Sequence, residues 1–288
     1  MTDFSVSLND IPVTLQQFLQ KKLIGFSVRE IKRALSKNRC FVNNAVERFG
    51  SRKLYAGDTI KLTEFTKEEL KSSRFIFDPA RQLFEDDCIL VYDKPAGLST
   101  LDKGLFELAQ KETGQLYAVH RLDKDTSGVI VFAKTKEIEV NLCQAFRKRL
   151  VHKEYLALVQ GSFKENKGSI SSYLGKISQF QGQMIMGSVD QKHGQIAETD
   201  WEVIKKNNQA TFVRLKPKTG RTHQLRSHMA SLGHPLIGDV QYGWKSSAFC
   251  PPSFYLHASV LAFDGMKFEA PLPHLFISAL ESLFGKGY

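Results

Sequence analysis
The alternation of apolar and polar positions divides the chain into two regions. In the first, from about Asn9 to Thr63, Leu15, Phe18, Leu19 and Leu23 recur at helical spacing after Pro12, which predicts a first helix. Ser27, with Glu30 three residues on, reads as a capping box opening a second helix. Ile31, Ala34 and Leu35 form that helix's apolar side, and Arg29, Lys32, Arg33 and Lys37 are left largely outward. A short strand over Cys40–Val42 meets the turn Asn43-Asn44, and Gly57-Asp58 precedes another strand near Ile60–Leu62. The charged stretch Glu64–Arg74 reads as a linker or a short exposed helix.

From Phe75 onward the pattern is mixed. Apolar runs predict buried strands at Cys88–Tyr92, Val129–Ala133 and Tyr155–Val159, and Thr211, Val213 and Leu215 alternate as in a further strand. Ile138, Leu142, Ala145 and Phe146 mark one helix face, and Leu225, Met229 and Leu232 mark another that Gly233 closes. Thr222 is the expected N-cap of the latter. Gly161–Gln195, rich in Gly, Ser and Gln, predicts a pair of hairpins or a mobile flap.

Composition narrows the class. The 288 residues are 42% hydrophobic and 24% charged, enough for one large and one small domain with buried cores. No apolar run reaches the roughly 18–20 residues that span a bilayer. The polar segment Met1–Asp10 does not resemble a secretion signal, so the cytoplasm is the expected compartment. Cys40, Cys88, Cys143 and Cys250 are far apart, without CxxC spacing, and predict neither a zinc ribbon nor a disulfide framework. The net charge is +10, and Lys21–Lys71 alone holds 13 Lys/Arg against 6 Asp/Glu. Such a basic block suits a polyanion.

Two clusters carry candidate chemistry. In His120–Thr135, HRLDKDTSGVIVFAKT, a charged loop precedes a fully apolar strand, so Asp123, Asp125, Arg121 and His120 sit on a rigid mount. On composition alone, Asp123 and Asp125 are open to a paired-carboxylate glycosidase reading, or to a capping and ion-pairing role. In Leu215–Asp239, the Gly220 turn is followed by Arg221 and by a helix carrying Gln224, Arg226 and His228, a setting suited to a phosphate or carboxylate. The five-residue spacing of His223 and His228 does not align them on a helix, so no metal site is expected.

These segments are similar to the RluA-type family of pseudouridine synthases. HRLDKDTSG matches the family's central motif without a gap, KPAGLS its first, KEYLALVQG the strand bearing its tyrosine, and LKPKTGRTHQLRSH with GHPLIGDVQYG its last large motif. LHASVLAF and APLP fit its C-terminal end, although Asp264-Gly265 stands where the family often has His-Pro. FSVREIKRALSKNRCFVNNAVERFGSRKLYAGDTIKL resembles the αL-type RNA-binding module that often accompanies it, with Arg39 and Asn44 in place of its usual glycines.

The resemblance implies an α+β pseudouridine synthase fold with a mixed, mostly antiparallel central sheet, plus a small N-terminal α/β RNA-binding domain. The expected division is 9–65 for the RNA-binding domain, 66–79 for the linker and 80–288 for the catalytic domain. It further implies an RNA isomerase acting on ribosomal RNA, with transfer RNA as the alternative substrate. The reaction oxidises and adds nothing, so no cofactor is expected, no metal is expected either, and a monomer is the default because the module and the cleft together can supply specificity. Asp123 would be the catalytic carboxylate, as nucleophile or as base at the sugar, Arg221 its ion-pair partner, and Tyr155 the residue that stacks on uracil and assists removal of the C5 proton. Arg121 would fill the space left by the flipped base, Leu225 would wall the pocket, and His120, Thr126 and Arg226 would complete the substrate contacts. Arg29, Lys32, Arg33, Lys37 and Arg39 would bind RNA. Two rivals stand beside this reading: a non-catalytic RNA-binding or ribosome-assembly factor, and a glycosidase that releases free uracil.

Overall fold
The computed structural model describes residues 2–63, 75–180, 183–245 and 251–287. The stretch Glu64–Arg74, and with it most of the expected linker, lies outside the described residues, as does Cys250. The chain divides into two compact units. One comprises Met1–Arg74, Gln179–Met184 and Gly238–Phe254, and the other Phe75–Ser178, Ile185–Ile237 and Tyr255–Tyr288.

The first unit contains β1 (Thr2–Ser5), β2 (Val13–Thr14), α1 (Leu15–Lys22), α2 (Val28–Ser36), β3 (Cys40–Val42), β4 (Ala45–Val46), β5 (Lys53–Leu54) and β6 (Thr59–Leu62). The four-stranded sheet runs β1-β6-β3-β4, and Leu15, Phe18, Leu19, Ile31 and Leu35 pack with Cys40, Val42, Ile60 and Leu62 to form its core. The Ser27–Glu30 capping box is present, with Ser27 N–H donating to the Glu30 carboxylate (2.7 Å). Asn43 and Asn44 both take positive φ (52° and 64°), as a two-residue hairpin loop requires. Asn38 takes the left-handed position after α2 (φ 58°), a role that Asn tolerates. Strand β1 was not expected: its residues are mostly exposed, so only its pairing with β6 reveals it.

The second unit is built on a sheet formed from β7 (Gln82–Glu85), β8 (Ile89–Lys94), β9 (Tyr117–Ala118), β10 (Ser127–Ala133), β11 (His152–Gln160), β12 (Lys167–Phe180), β13 (Gln183–Val189), β14 (Gln195–Lys206), β15 (Ala210–Pro217), β16 (Leu256–Phe263) and β17 (Met266–Glu269). Its order is β13-β12-β14-β15-β11-β16-β10-β8-β7, with β9 on β10 and β17 on β16. The β10–β16 pair is parallel and the other registered pairs are antiparallel, so the sheet is mixed and mostly antiparallel. The helices are α3 (Leu105–Thr113), α4 (Lys136–Arg147), α5 (Gln224–Ser231) and α6 (His274–Phe284).

Strand β10 is buried at all seven positions because both of its faces are covered. Ile130 and Phe132 pack with Leu105 and Ala109 of α3, and Val129 and Val131 pack with Leu142 of α4. The Gly/Ser/Gln-rich region is one long hairpin rather than a pair of hairpins or a flap. It forms the long strands β12 and β13, and β12 continues the sheet through an eight-residue register with β14, Lys167↔Glu202 to Leu174↔Gln195. Polar residues alternate there with partly buried ones, and long antiparallel pairing supplies what a weak apolar pattern does not.

Candidate active site
Asp123 lies in the loop between β9 and β10, which is held from beneath. Lys94, at the end of β8, has no solvent exposure. Its ammonium donates to the carbonyls of Pro95 (3.1 Å), Leu98 (2.8 Å) and Lys124 (3.0 Å). Burial pushes the Lys94 pKa down to about 7, against the opposing charges of Asp125, Asp123 and Asp93. Thr100 Oγ donates to the Leu122 carbonyl (2.9 Å) and accepts from its N–H (3.1 Å). Gly97 N–H reaches the Lys124 carbonyl (2.9 Å), and Thr126 N–H closes the turn on the Asp123 carbonyl (3.1 Å). The KPAGLST segment is therefore a clamp on the carboxylate's loop, a role for Lys94 and Thr100 that sequence reasoning missed. A lysine in a charged turn gives no sign in sequence that three carbonyls surround it.

Strand β10 begins at the same loop. Gly128 is required there twice over: its φ is +111°, and a Cβ would collide with the Ala258 carbonyl on the parallel neighbour β16. Beside it, Ser127 Oγ hydrogen-bonds His257 Nδ1 (2.9 Å), and His257 Nε2 donates to the Ala270 carbonyl (3.1 Å).

Asp123 opens onto a cavity of about 450 Å³ whose lining includes Arg121, Thr126, Tyr155, Arg221, His223, Leu225 and Arg226. Asp125 is not in this lining, and its charge acts on Lys94 instead. The two carboxylates thus do not share the cavity, which removes the geometric basis of the paired-carboxylate reading.

The guanidinium beside Asp123 is that of Arg226. Its Nη1 lies 3.6 Å from Asp123 Oδ2, and its side chain is only 6% exposed against 21% for Asp123. Arg221, the expected partner, instead directs its Nε to the Ile196 carbonyl (3.1 Å), although it too lines the cavity. The reason is local. Helix α5 starts at Gln224, and its N-cap is His223 rather than Thr222. His223 is left-handed (φ 54°, ψ 21°) and makes no side-chain cap bond. Its Nε2 lies 4.0 Å from Asp123 Oδ1. The kink puts Arg226 on the inward side of α5 and leaves Arg221 in the preceding loop.

Gln224 fixes that loop, and sequence reasoning gave it no role. Its Oε1 accepts from Thr219 Oγ (2.7 Å) and Arg221 N–H (3.0 Å), while its Nε2 donates to the Glu198 carbonyl and Thr199 Oγ (both 2.9 Å). His228 is structural: it is buried between Thr199 Oγ (2.9 Å) and Ser172 Oγ (3.2 Å), and burial pushes its pKa down to about 4.

Tyr155 is on the central strand β11, between β15 and β16. Burial, and then the charge of Asp123, push its hydroxyl pKa up, so the phenol stays protonated. His120 lines the cavity, but its Nε2 accepts the Val131 N–H (3.1 Å) and its ring stacks on Phe146 at 4.7 Å. Burial, with Lys153 nearby, pushes His120 down to about 3, so it is a neutral acceptor. Leu225 supplies an apolar wall, Thr126 is buried, and Arg121 is exposed at the cavity. Arg29 and Lys32 on α2 are exposed, Arg33 on α2 and Lys37 at its C-cap are partly so, and the partly exposed Arg39 immediately precedes β3.

The cavity thus gathers one carboxylate, a buried guanidinium, a protonated phenol and an apolar wall, with several cations in its lining. Known proteins give the family. Residues 88–231 match the family described as RNA pseudouridylate synthase. The chain is 30% identical over 305 residues to a ribosomal large subunit pseudouridine synthase C of Haemophilus influenzae, covering 97% of this chain and 94% of that protein. It is 37% identical over 193 residues to a dual-specificity RNA pseudouridine synthase RluA of Vibrio vulnificus, covering 63% and 76% respectively. Among solved structures, human RNA pseudouridylate synthase domain containing 4 superposes with a TM-score of 0.61 at 26% identity, over 71% of this chain and 93% of that one. The chain belongs to the RluA-type RNA pseudouridine synthases, and it is an isomerase.

Proposed function
We propose that this enzyme converts uridine to pseudouridine in large-subunit ribosomal RNA, with Asp123 as the catalytic carboxylate acting on a flipped-out nucleotide. The observation that carries the reading is the Asp123–Arg226 pair in a cavity that Tyr155 and Leu225 also line. Two relatives matched over more than nine-tenths of both chains are named for the ribosomal large subunit. A base in structured RNA is reached only by leaving its stack, at a cost of a few kcal/mol.

Each residue then has a task. Arg226 holds the carboxylate in one orientation by a charge that cannot be lost. Asp123 acts at C1′ as the glycosidic bond opens. Leu225 and Tyr155 sandwich the detached uracil while it turns. Tyr155 stacks on the base, and its protonated hydroxyl relays the C5 proton to solvent, taking it up as it releases its own. Arg121 occupies the place the base vacates. Arg29, Lys32, Arg33, Lys37 and Arg39 would contact the RNA backbone from the N-terminal unit.

The test is tritium release from [5-³H]uridine-labelled, unmodified ribosomal RNA and, separately, transfer RNA. Release from ribosomal RNA without free uracil is expected, and Asp123→Asn should lower it by at least about 10³-fold, the scale on which a catalytic side chain matters. Asp125→Asn should keep most of the turnover. Release that survives Asp123→Asn would end the assignment, and free uracil would return the glycosidase.

A further inference from the structure
We propose that Lys153, Arg149 and Arg221 form a seat for one backbone phosphate of the substrate RNA, beside the cavity that takes the flipped nucleotide. This rests on the RNA-modifying reading above and extends it to residues with no role there.

The three cations converge from separate elements. Lys153 is two residues before Tyr155 on β11, so both side chains leave the same face of the strand. Arg149 follows the end of α4, and Arg221 is in the loop between β15 and α5. All three line the same cavity. Lys153 Nζ donates to the Thr219 carbonyl (3.2 Å), one residue from the Gly220 turn. Arg221 spends one of its five donors on Ile196, and Arg149 pairs through Nη1 with Glu198 (2.7 Å).

A second observation concerns the backbone. The N–H groups of Arg149 and Leu150 return to the carbonyls of Phe146 (3.2 Å) and Ala145 (3.0 Å), the closing pattern of a helix whose C′ residue is left-handed. Glycine is preferred there, yet this chain holds an arginine at φ 61°. A non-glycine residue in that region costs stability, so the guanidinium is kept at this rim against the local preference.

The mutual effect of the cations is visible on Lys153. Burial, then Arg149, then Arg221 push its pKa down to about 8. Other charged and titratable groups face it from the surrounding elements. Arg147 stands at the end of α4, Lys218 is in the 217–221 loop but is paired with Asp200 (2.9 Å), and Asp123, Tyr155 and His120 are in the cavity. Its register partner on β16, Leu261, carries no charge. A phosphate placed among the three would relieve their repulsion and draw a proton back onto Lys153.

The experiment is filter binding of unmodified large-subunit ribosomal RNA between pH 7 and 9.5 and over a range of salt, with tritium release measured in parallel. Wild-type Kd should rise as pH passes through about 8. Lys153→Met should raise Kd at pH 7 by about tenfold, flatten the pH dependence and lower the salt slope by about one ion. Lys153→Arg should recover the Kd at pH 7 while staying flat with pH, because guanidinium keeps its proton. Arg149→Gly should raise Tm by relaxing the backbone, yet weaken binding, so a loss of affinity there is not a loss of fold. If Lys153→Met and Arg149→Gly bind with wild-type Kd and salt slope, the seat is wrong. If the wild type binds RNA in this manner but releases no tritium, the isomerase reading fails while the seat stands.

Discussion
Asp123 is useful only in one orientation, and two side chains from a single turn of chain lie beside it. Arg226 approaches one carboxylate oxygen and His223 the other, at 3.6 and 4.0 Å. Arg226 is the more buried, and its planar fork suits a carboxylate in a way an ammonium does not. Arg226→Lys keeps the charge but loses the geometry, and kcat is expected to fall by about 10- to 100-fold with a smaller change in KM. Single-turnover tritium release would read this, and a pure KM effect would move Arg226 from positioning the carboxylate to holding RNA. Beneath the loop, Lys94→Met would leave the carbonyls of Pro95, Leu98 and Lys124 without their shared donor. A loss of about 2–4 kcal/mol in urea unfolding is expected, the usual scale for buried acceptors stripped of a charged partner. A neutral result would mean that the clamp does not hold the loop.

At the level of elements, the site depends on two departures from regular structure. One is the left-handed His223 that starts α5 a residue later than the Thr222 pattern suggests. The other is Gly128, where β10 and β16 approach too closely for any side chain. Gly128→Ala places a methyl against backbone that cannot move without separating the parallel pair. Destabilisation of about 3 kcal/mol or more is expected, with activity lost in parallel. Denaturant titration checks it, and a folded, stable Ala variant would show that the β10–β16 spacing is softer than the structure indicates. The long β12–β13 hairpin lies outside what an apolar pattern can report, because β12 joins the sheet through backbone pairing with β14 along a mostly polar stretch.

Across the whole molecule, acid sensitivity follows from three histidines kept neutral. His120, His228 and His257 are pushed to about 3, 4 and 4, chiefly by burial. A histidine whose folded pKa lies below its unfolded value of about 6.5 contributes fully above that pH and loses its contribution as pH falls toward the folded pKa. A tenfold difference in proton affinity between the folded and unfolded chain is worth about 1.4 kcal/mol, so unfolding free energy should drop by roughly 5 kcal/mol or more between pH 6.5 and 4. Urea midpoints across that window measure it, and a flat profile would mean these histidines are not held neutral. The basic block at Lys21–Lys71 belongs to this scale too, since salt-dependent RNA affinity sums over many exposed cations.

Sequence alone determined the strands and helices with strong apolar periods, the Ser27 capping box, the Asn43-Asn44 hairpin and the motifs that name the family. These are local: each is decided by residues within a turn or a strand of one another. Tertiary structure decided the rest. Arg221 and Arg226 occupy one motif five residues apart, and no spacing rule says which guanidinium turns to the carboxylate. That choice follows from the kink at His223 and from Gln224 binding β14 and the loop before it. The burial of Lys94 and the need for glycine at position 128 arise where β8, β10 and β16 meet, with 130 residues of chain between Ser127 and its partner His257. Contacts of that range depend on how whole elements stack, and no short stretch of sequence carries them.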